Sequence, residues 1–296
     1  MISIKQYIEY YYNLENINIT KIKEYYRFDY KNTNYLFMPL TRYPIEILQI
    51  NRVINNDANY DNIVLNIKNQ LITYIDGKNY ILVRLSKNSA NYNLYNQIEK
   101  SKIVYLPNEM IDKITKTNWD ILWSKKIDYI EYQLNNLDND NIVFNSVWYY
   151  IGMAENAISY VNETLSLSSN HRLYVSHKRI NEQFFNNPLN LIVDYRSRDI
   201  SEYLKYMFLK KEYDYIEIKE KLQKLNLDEF LCRMIYGRLF FVTFYFDIFD
   251  SVMNGNKENK LLLRNIINRA DEYEDYINSI YDILAQIKKI PKIGWV

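Results

Sequence analysis

Five basic side chains are concentrated in one stretch, VSHKRINEQFFNNPLNLIVDYRSRDISEYL at 175–204. They are His177, Lys178, Arg179, Arg196 and Arg198. Guanidinium and ammonium groups bind carboxylates and phosphates, so these side chains could dock an anionic surface or peptide. The alternative is that they pair locally with Glu182, Asp194 and Glu202, and each such surface ion pair would contribute only about 0–1 kcal/mol.

Glycine is too scarce for the common phosphate-binding loops. The chain has only five glycines, at positions 77, 152, 237, 255 and 294, and none precedes Gly77. A Rossmann turn, a Walker loop and a kinase glycine flap all need backbone close to phosphate with no Cβ in the way. None of these loops can be built here in its usual form.

Metal and nucleophile motifs are also missing. The two histidines and the single cysteine, His171, His177 and Cys232, do not have a recognised metal-ligand spacing. Cys232 lies in the apolar segment FLCRMIYG and is predicted to be a core residue. No serine lies in a G-x-S-x-G elbow, so a Ser-His-Asp hydrolase is not indicated.

Composition indicates a folded protein of a reducing compartment. The 296 residues are 48% hydrophobic and 25% charged, with a net charge of +1, which favours neither disorder nor nucleic-acid binding. One cysteine cannot form an internal disulfide, and no signal peptide is recognised, so cytoplasmic synthesis is expected. The most apolar segment, 239–249, contains Asp247 and is shorter than the roughly 20 residues of a membrane span, so a core helix is predicted.

Residues 1–87 are predicted to form a small α+β domain. Ser3 can cap a helix that runs to Tyr12. Strand-like alternation follows at 18–30, with three aromatic residues on one face, and the sequence KNTN at 31–34 predicts a turn. The three aromatic residues are Tyr26, Phe28 and Tyr30.

A helix and a hairpin complete this small domain. Thr41 precedes the helix, and Pro44 suits its first turn. The residues predicted to share one side of it are Ile45, Leu48, Arg52 and Val53. The Asp-Gly pair in LITYIDGKNYILVRL predicts a hairpin with strands at 71–75 and 80–85.

Residues 88–296 are predicted to be mainly helical, beginning with a polar connector at 88–96. Apolar residues recur every three or four positions in four segments, which predicts helices at 119–137, 145–165, 227–254 and 257–289. Gly255 is a natural stop for the third helix. A short pair of strands is predicted around 175–204.

This order of elements resembles the aminoglycoside phosphotransferase and choline kinase superfamily, and within it the spore-coat branch of CotS- and YutH-like proteins. Four segments carry the resemblance: NYLFMPL at 34–40, YYIGMAENAI at 149–158, the SHKRI to DISEYLK block at 176–205, and GRLFFVTFYFD at 237–247. The resemblance implies a protein-kinase-like two-lobed α+β fold, with 1–87 as the N-lobe and 88–296 as the C-lobe. It also implies the coat of a bacterial endospore.

The catalytic loop departs from the superfamily pattern. Active members have H-G-D with Asn at the eighth place, and the eighth place here is Phe184. The three leading positions match His177, Lys178 and Arg179. A guanidinium stays protonated at any ordinary pH, so Arg179 excludes the usual base mechanism. Three nearby asparagines could replace the missing amide, although the alignment of the loop favours none of them: Asn186, Asn187 and Asn190.

The resemblance also locates the metal and nucleotide positions. Asp194 would be the magnesium-binding aspartate, and the alternative is a turn aspartate. Pro39 and Leu40 stand where a nucleotide-binding lysine is expected, with Arg42 just beyond. Glu46 could be the helix partner of that lysine, or else a solvent-exposed glutamate. With neither the lysine nor the glycines, ATP loses most of its usual phosphate contacts, so no cofactor is expected.

The leading hypothesis is a catalytically inactive kinase-like protein, a pseudokinase, that is a structural or assembly component of the spore coat. Its expected partners are other coat proteins, with neither nucleic acid nor a membrane span. The alternative is an atypical phosphotransferase that uses ATP and magnesium at Asp194, with Glu182 or Asp199 as base. Asp199 opens the helix ISEYLKYMF, however, and is predicted to be its N-cap. A third hypothesis is that the resemblance is accidental.

Overall fold

The computed structural model describes residues 3–55, 57–86, 94–134, 142–167, 171–180, 185–256 and 258–294. Its contacts divide the chain into two compact units. Unit 1 comprises Met1–Thr115 with Leu173–Asp194, and unit 2 comprises Lys116–Arg172 with Tyr195–Val296. The predicted lobe boundary after residue 87 falls inside unit 1, and the predicted connector at 88–96 lies mostly outside the described residues. The division into lobes at that residue stays a prediction.

Unit 1 is built on an antiparallel sheet. Its described strands are β1 (Thr20–Ile22), β2 (Tyr25–Tyr30), β3 (Thr33–Pro39), β4 (Asn62–Val64), β5 (Thr73–Ile75) and β6 (Lys78–Arg84). Their order is β1-β2-β3-β6-β4, with β5 paired to β6. Lys31 and Asn32 have φ of 49° and 59°, and Asp76 and Gly77 have φ of 47° and 80°. Two consecutive positive φ values are typical of a type I′ turn, which confirms both predicted turns.

The segment predicted as strand at 18–30 is divided in two. Lys23 adopts a φ of 52° and turns the chain between β1 and β2, which pair with each other. The predicted aromatic face is confirmed, because Phe28 is buried in one cluster and Tyr26 and Tyr30 pack against it. A short hairpin and a continuous strand have the same alternation, so the pattern alone could not separate them.

Helix α1 (Ile4–Tyr12) begins as predicted. The Gln6 backbone N–H donates to Ser3 Oγ at 3.3 Å, and the Ser3 backbone N–H donates to Gln6 Oε1 at 2.8 Å. This reciprocal pair is a capping box, which satisfies two N–H groups that the first turn leaves without helical partners. At the other end, the buried Tyr12 hydroxyl hydrogen-bonds Thr73 Oγ1 at 2.8 Å and fixes the helix to β5.

Helix α2 (Pro44–Ile54) begins with Pro44 in its first turn, as predicted, but buries a different side. The predicted side contains Ile45, which is 40% exposed, and Arg52, which is also exposed. The fully buried apolar side consists of Ile47, Ile50 and Ile54. Glu46 and Gln49 are buried as well, because both have partners inside the protein. Because the polar residues Glu46 and Gln49 lie on the buried side, the pattern of apolar residues predicted the wrong side of α2.

A second, smaller sheet also belongs to unit 1. Its strands are β7 (Ile103–Val104), β8 (Leu173–His177) and β9 (Leu191–Asp194), in the order β7-β8-β9 and all antiparallel. The short helices α3 (Leu94–Glu99) and α4 (Asn108–Ile114) flank β7 along the chain. The pair β8 and β9 was predicted, whereas β7 was not, because its two residues are too few to show alternation.

The secondary-structure elements described in unit 2 are all helices. The helices are α5 (Trp119–Leu134), α6 (Ile142–Ser166), α7 (Ser197–Lys210), α8 (Tyr215–Lys224), α9 (Glu229–Phe240), α10 (Thr243–Met253), α11 (Asn259–Ile267) and α12 (Ala270–Ile287). Helices α5 and α6 match two predicted segments, and the buried side of α5 is Trp119, Trp123, Ile127, Ile130 and Leu134. The described helices do not reach the length and apolarity that a membrane crossing requires.

The single helix predicted at 227–254 is wrong, because it breaks between α9 and α10. Lys205 Nζ on α7 donates to the Phe241 carbonyl at 2.9 Å and to Thr243 Oγ1 at 3.2 Å. A buried ammonium therefore takes a carbonyl that a continuous helix would use internally. The predicted stop is confirmed, since Gly255 has a φ of 91° just after α10.

The single helix predicted at 257–289 is also wrong. Arg269, between α11 and α12, donates to the Phe208 carbonyl at 3.0 Å and to Glu272 Oε2 at 2.7 Å. Its guanidinium lies 4.1 Å from the centre of the Phe208 ring. These contacts hold the joint against the end of α7, and a local apolar pattern does not reveal them.

Candidate functional site

The hairpin of β8 and β9 positions the loop at 178–190. Its register pairs His177 with Leu191 and Tyr174 with Asp194. The loop therefore leaves from the end of β8 and returns at the adjacent start of β9. All four residues of β9 are buried. Phe184 and Glu182 lie outside the described residues, so the predictions for them stay predictions.

Arg179 lies in this loop, at the place where the resemblance implies the catalytic base. Its backbone N–H donates to Asn190 Oδ1 at 3.1 Å, and Asn190 Nδ2 donates back to its carbonyl at 2.9 Å. The Arg179 side chain is exposed, and its Nη1 donates to the Lys178 carbonyl at 3.1 Å. The loop backbone is thus fixed on both sides of this residue, with a guanidinium where the base mechanism needs a carboxylate.

Two of the three asparagines considered as metal ligands, Asn187 and Asn190, hold the loop through their side chains. Asn190 clamps Arg179, and the Asn187 side-chain oxygen accepts the Leu189 N–H at 2.9 Å. Asn187 Nδ2 lies 3.4 Å from Met38 Sδ, and the Asn186 carbonyl accepts the Asp61 N–H at 3.1 Å. The side-chain oxygen of Asn186 is buried and accepts no hydrogen bond from a described residue, so a role for Asn186 as a ligand stays a prediction.

Asp61 is a buried carboxyl that the sequence did not single out. It is 5% exposed, and burial raises its pKa to about 6, although a hydrogen bond from the Ser86 N–H at 2.7 Å acts in the opposite direction. Asp61 therefore links the end of β6 to Asn186 in the loop. Nothing in the polar run NYDNIV distinguishes it from an exposed turn aspartate.

His177 and Asp194 are both buried. His177 is 2% exposed, and its ring stacks on Phe185 with 3.7 Å between ring centres. A stacked core histidine does not favour the predicted role in docking an anionic partner. Asp194 is fully buried as the last residue of β9, the position that the resemblance implies for the metal ligand.

Arg42, just before α2, and Glu46, in its first turn, form a buried ion pair. Arg42 Nη2 lies 2.7 Å from Glu46 Oε2, and Arg42 Nε donates to the same oxygen at 2.9 Å. The side chains are only 7% and 5% exposed. Glu46 is therefore not a solvent-exposed helix residue, and that interpretation is wrong. The i,i+4 spacing of Arg and Glu is the sequence signal for the pair.

The same guanidinium also reaches the loop. Arg42 Nη1 donates to the carbonyls of Leu189, at 3.5 Å, and of Leu191, in a shorter hydrogen bond. Arg42 thus joins α2 to the start of β9, and we call this set of contacts the Arg42 bridge. A guanidinium can do this because its donors form a rigid planar fork. Nε and Nη1 of Arg42 donate to protein acceptors, whereas Nη2 lies in ion-pair contact with Glu46 without a hydrogen bond to a described residue.

The other predicted basic residues belong to unit 2. Arg196 precedes α7 and its Nη1 donates to the Leu225 carbonyl at 3.3 Å, and both Arg196 and Arg198 are partly buried. Since His177, Lys178 and Arg179 belong to unit 1, a common basic site stays a prediction. The N-cap prediction for Asp199 is wrong: α7 begins at Ser197, and Asp199 lies buried within its first turn, where a carboxylate suits the helix dipole.

A buried charge network in unit 2 was also missed. Lys205 and Arg238, each 2% exposed, both contact Glu202, at 3.5 Å and 3.0 Å. Burial lowers the pKa of Lys205 to about 7, a value that suits a general base. The Lys205 amine instead donates to the Phe241 carbonyl and to Thr243 Oγ1, so its contacts serve the break between α9 and α10.

The remaining candidates have structural environments. Cys232 is fully buried and burial raises its pKa to about 12, which confirms the prediction of a core residue. His171 stacks on the Phe230 ring. Within the described part of the chain, His, Cys, Asp and Glu side chains form no group of three or more that could hold a metal ion.

Comparison with known families and proteins gives a consistent result. The family described as "Spore coat putative kinase YutH" matches residues 5–280. The endospore coat-associated protein YutH of Bacillus subtilis (strain 168) is 27% identical over 206 residues, which cover 60% of this chain and 61% of that protein. The match therefore spans less than two thirds of the length of this curated relative.

Solved structures show the same fold. An aminoglycoside phosphotransferase from Alicyclobacillus acidocaldarius subsp. acidocaldarius DSM 446 superposes with a TM-score of 0.64 at 8% identity, over 97% of this chain and 98% of that one. Spectinomycin phosphotransferase APH(9)-Ia, solved with ADP and spectinomycin, gives a TM-score of 0.58 at 13% identity, over 96% and 97% of the two chains. The predicted kinase-like α+β fold is thereby confirmed.

Proposed function

The chain belongs to the YutH family of spore-coat kinase-like proteins, and from this premise we propose that it is a catalytically inactive component of the bacterial spore coat. Its function would be to bind other coat proteins during assembly. The relative from Bacillus subtilis supports the location, since it is described as endospore coat-associated. The phosphotransferase fold would then serve as a rigid scaffold.

The observation that carries this proposal is Arg179, an exposed loop residue at the position that the resemblance implies for the catalytic base. A phosphotransferase of this fold needs a carboxylate there to orient or deprotonate the acceptor hydroxyl. A guanidinium stays protonated at ordinary pH and does neither. Asn190 holds the Arg179 backbone by two hydrogen bonds, so a compensating shift of the loop would break both.

The residues of unit 1 also do not fit a magnesium nucleotide. The resemblance implies a metal-ligand role for Asp194, and a single carboxylate is a poor magnesium site. The β1–β2 turn has Lys23 at a positive φ and contains no glycine that would let a phosphate approach the backbone. The Arg42 bridge uses the cation that lies just beyond the place of the expected lysine. We therefore propose that neither ATP nor magnesium is a cofactor.

The proposed function is tested in a spore-forming host that lacks its own YutH-type protein. A fluorescent fusion should assemble into the coat, and an Asp194→Asn fusion of unchanged melting temperature should do so equally well. A scaffold needs no metal ligand, whereas an enzyme that binds magnesium through Asp194 would lose its activity in this variant. A wild-type fusion that stays diffuse during sporulation would refute the coat proposal, and a coat defect specific to Asp194→Asn would refute the inactive scaffold.

One observation favours a second function, an atypical phosphotransferase: Asp194 is retained at the end of β9. The base would be Asp199 or Glu182, and the acceptor a small molecule or a coat protein. Under this alternative, ATP with magnesium at about 100 times its Kd should stabilise the protein by about 2.7 kcal/mol. The absence of a magnesium-dependent thermal shift at saturating ATP would remove this alternative.

A further inference from the structure

Helix α5 carries a line of exposed apolar side chains opposite its buried side. Ile121 is 48% exposed, Leu122 45%, Tyr129 44% and Tyr132 70%. We call these four residues, together with Lys125 and Asp128, the α5 stripe. Contiguous apolar patches on soluble proteins mark interaction sites more often than single exposed residues do. Tyrosine is among the residues enriched at the centres of protein interfaces.

The helix period aligns the stripe. At 100° per residue, Ile121, Lys125, Asp128 and Tyr132 fall within about 60° of one another, and Leu122 and Tyr129 lie together along one flank. With a rise of 1.5 Å per residue, the stripe is about 16 Å long. The buried residues of α5, such as Trp123 and Ile130, lie on the opposite side. The stripe is therefore a continuous, solvent-exposed helix face.

Tyr129 is already ordered for contact. Gln133 Nε2 donates to its hydroxyl at 2.6 Å, and Lys126 Nζ lies 5.4 Å from the centre of its ring. Lys126 is itself held by Asp250 Oδ2 at 3.2 Å. A side chain fixed in advance loses less rotamer entropy when a partner binds, so Tyr129 is suited to be an anchor.

The charges of the stripe are self-complementary. Lys125 and Asp128 are exposed, and within the described part of the chain neither forms an ion pair. A two-fold axis between residues 126 and 127 places Lys125 of one copy opposite Asp128 of a second, antiparallel copy. The same axis places Ile121 opposite Tyr132, and Leu122 beside Tyr129. A face that matches itself under a two-fold rotation is what an isologous dimer requires.

We propose that the α5 stripe is an interface between two copies of this chain, packed as an antiparallel helix pair. The partner is a second copy because the antiparallel two-fold axis pairs the basic position with the acidic one and the apolar positions with the aromatic ones. One helix face buries less area than a stable dimer of standard size, so the association is weak and depends on concentration. This inference goes beyond the proposed function and does not depend on whether the protein transfers phosphate.

The experiment is sedimentation velocity with full-length protein from about 1 µM to about 300 µM, a range that brackets micromolar affinity. Wild type should shift from monomer to dimer. Lys125→Glu places a glutamate opposite Asp128, and Asp128→Lys places two lysines opposite each other, so each variant should weaken dimerisation by about tenfold or more. Glu220→Lys on α8 makes the same charge change as Asp128→Lys outside the stripe and should dimerise like wild type.

Mixing the two charge variants makes the test specific. An equimolar mixture of Lys125→Glu and Asp128→Lys proteins pairs opposite charges at both contacts, so a heterodimer should form where each variant alone is monomeric. The double variant should regain self-association. A wild type that is monomeric over the whole range, or variants that dimerise as well as wild type, would overturn the proposal. Matching melting temperatures would show that the variants are folded.

Discussion

The Arg42 bridge gives the sharpest prediction on stability, because both charges are buried. In an Arg42→Met variant, Glu46 would be left with only 5% of its side chain exposed and no guanidinium beside it. Removal of one partner of a buried ion pair costs about 3–5 kcal/mol. Two backbone carbonyls, of Leu189 and Leu191, would also lose a donor, at about 1 kcal/mol each. We expect a total loss of about 5–7 kcal/mol.

A double-mutant cycle separates the ion pair from packing. Glu46→Leu alone should be destabilising, because it leaves the Arg42 guanidinium without its carboxylate. Arg42→Met/Glu46→Leu removes both charges, so it should be less destabilised than the sum of the single variants by about 2 kcal/mol or more. Arg42→Lys should recover only part of the stability, because one ammonium cannot span Glu46 and two carbonyls.

The assay is urea unfolding followed by hydrogen exchange, since two units need not unfold together. Tryptophan fluorescence reports mainly on unit 2, which holds Trp119, Trp123 and Trp148, so exchange must report on unit 1. Peptides covering 185–194 should lose protection in Arg42→Met. A cost below about 1 kcal/mol with unchanged exchange would refute the reasoning, because a truly buried pair cannot be broken that cheaply.

Burial and packing at three other positions lead to measurable effects. Because burial raises the Asp61 pKa from 3.8 to about 6, the stabilising contribution of Asp61 is present at low pH and is lost as pH rises through about 6. The Asp61→Asn variant should therefore be up to about 3 kcal/mol more stable than wild type near pH 8, and its urea midpoint should depend less on pH. An unchanged pH profile would contradict this. A Cβ on Gly237 would lie 2.8 Å from Val161 Cγ2, so Gly237→Ala should lower the free energy of unfolding in urea by about 1–3 kcal/mol. Gly294 has open space at the Cβ position, so Gly294→Ala should match wild type, and equal effects of the two changes would refute the packing argument. Burial raises the Cys232 pKa to about 12, so a thiol reagent should label it only on unfolding, and rapid labelling of the native protein near pH 8 would be inconsistent with this.

The elements predicted correctly are those specified by neighbouring residues. Ser3 and Gln6 build the cap of α1 within one turn, and Asp76 with Gly77 builds its own reverse turn. The two long helices that were predicted wrongly are broken by distant partners. Lys205 breaks a long apolar helix from 36 positions away, and Arg269 does the same by reaching Phe208. Periodicity indicates a helix, but it does not show where another element removes a carbonyl.

In the candidate site, too, contacts between residues distant in sequence could not be predicted. The assignment of Arg179 to the place of the catalytic base follows from the family resemblance and stays a prediction. The Arg42 bridge does not follow from the sequence, because Arg42 and Leu191 are 149 positions apart. The role of Asn190 was missed for the same reason, since its partner lies 11 residues away across a loop. The sequence therefore indicated what the loop lacks, and the structure shows what holds it.

The most direct test of the central claim is phosphate transfer. Purified protein would be incubated with magnesium and ATP labelled at the γ-phosphate, together with isolated coat proteins and with aminoglycosides. We predict no labelled product above a protein-free control, because Arg179 cannot accept the proton of an acceptor hydroxyl. Labelled product formed by wild type and abolished by Asp194→Ala would contradict that prediction and identify an active phosphotransferase.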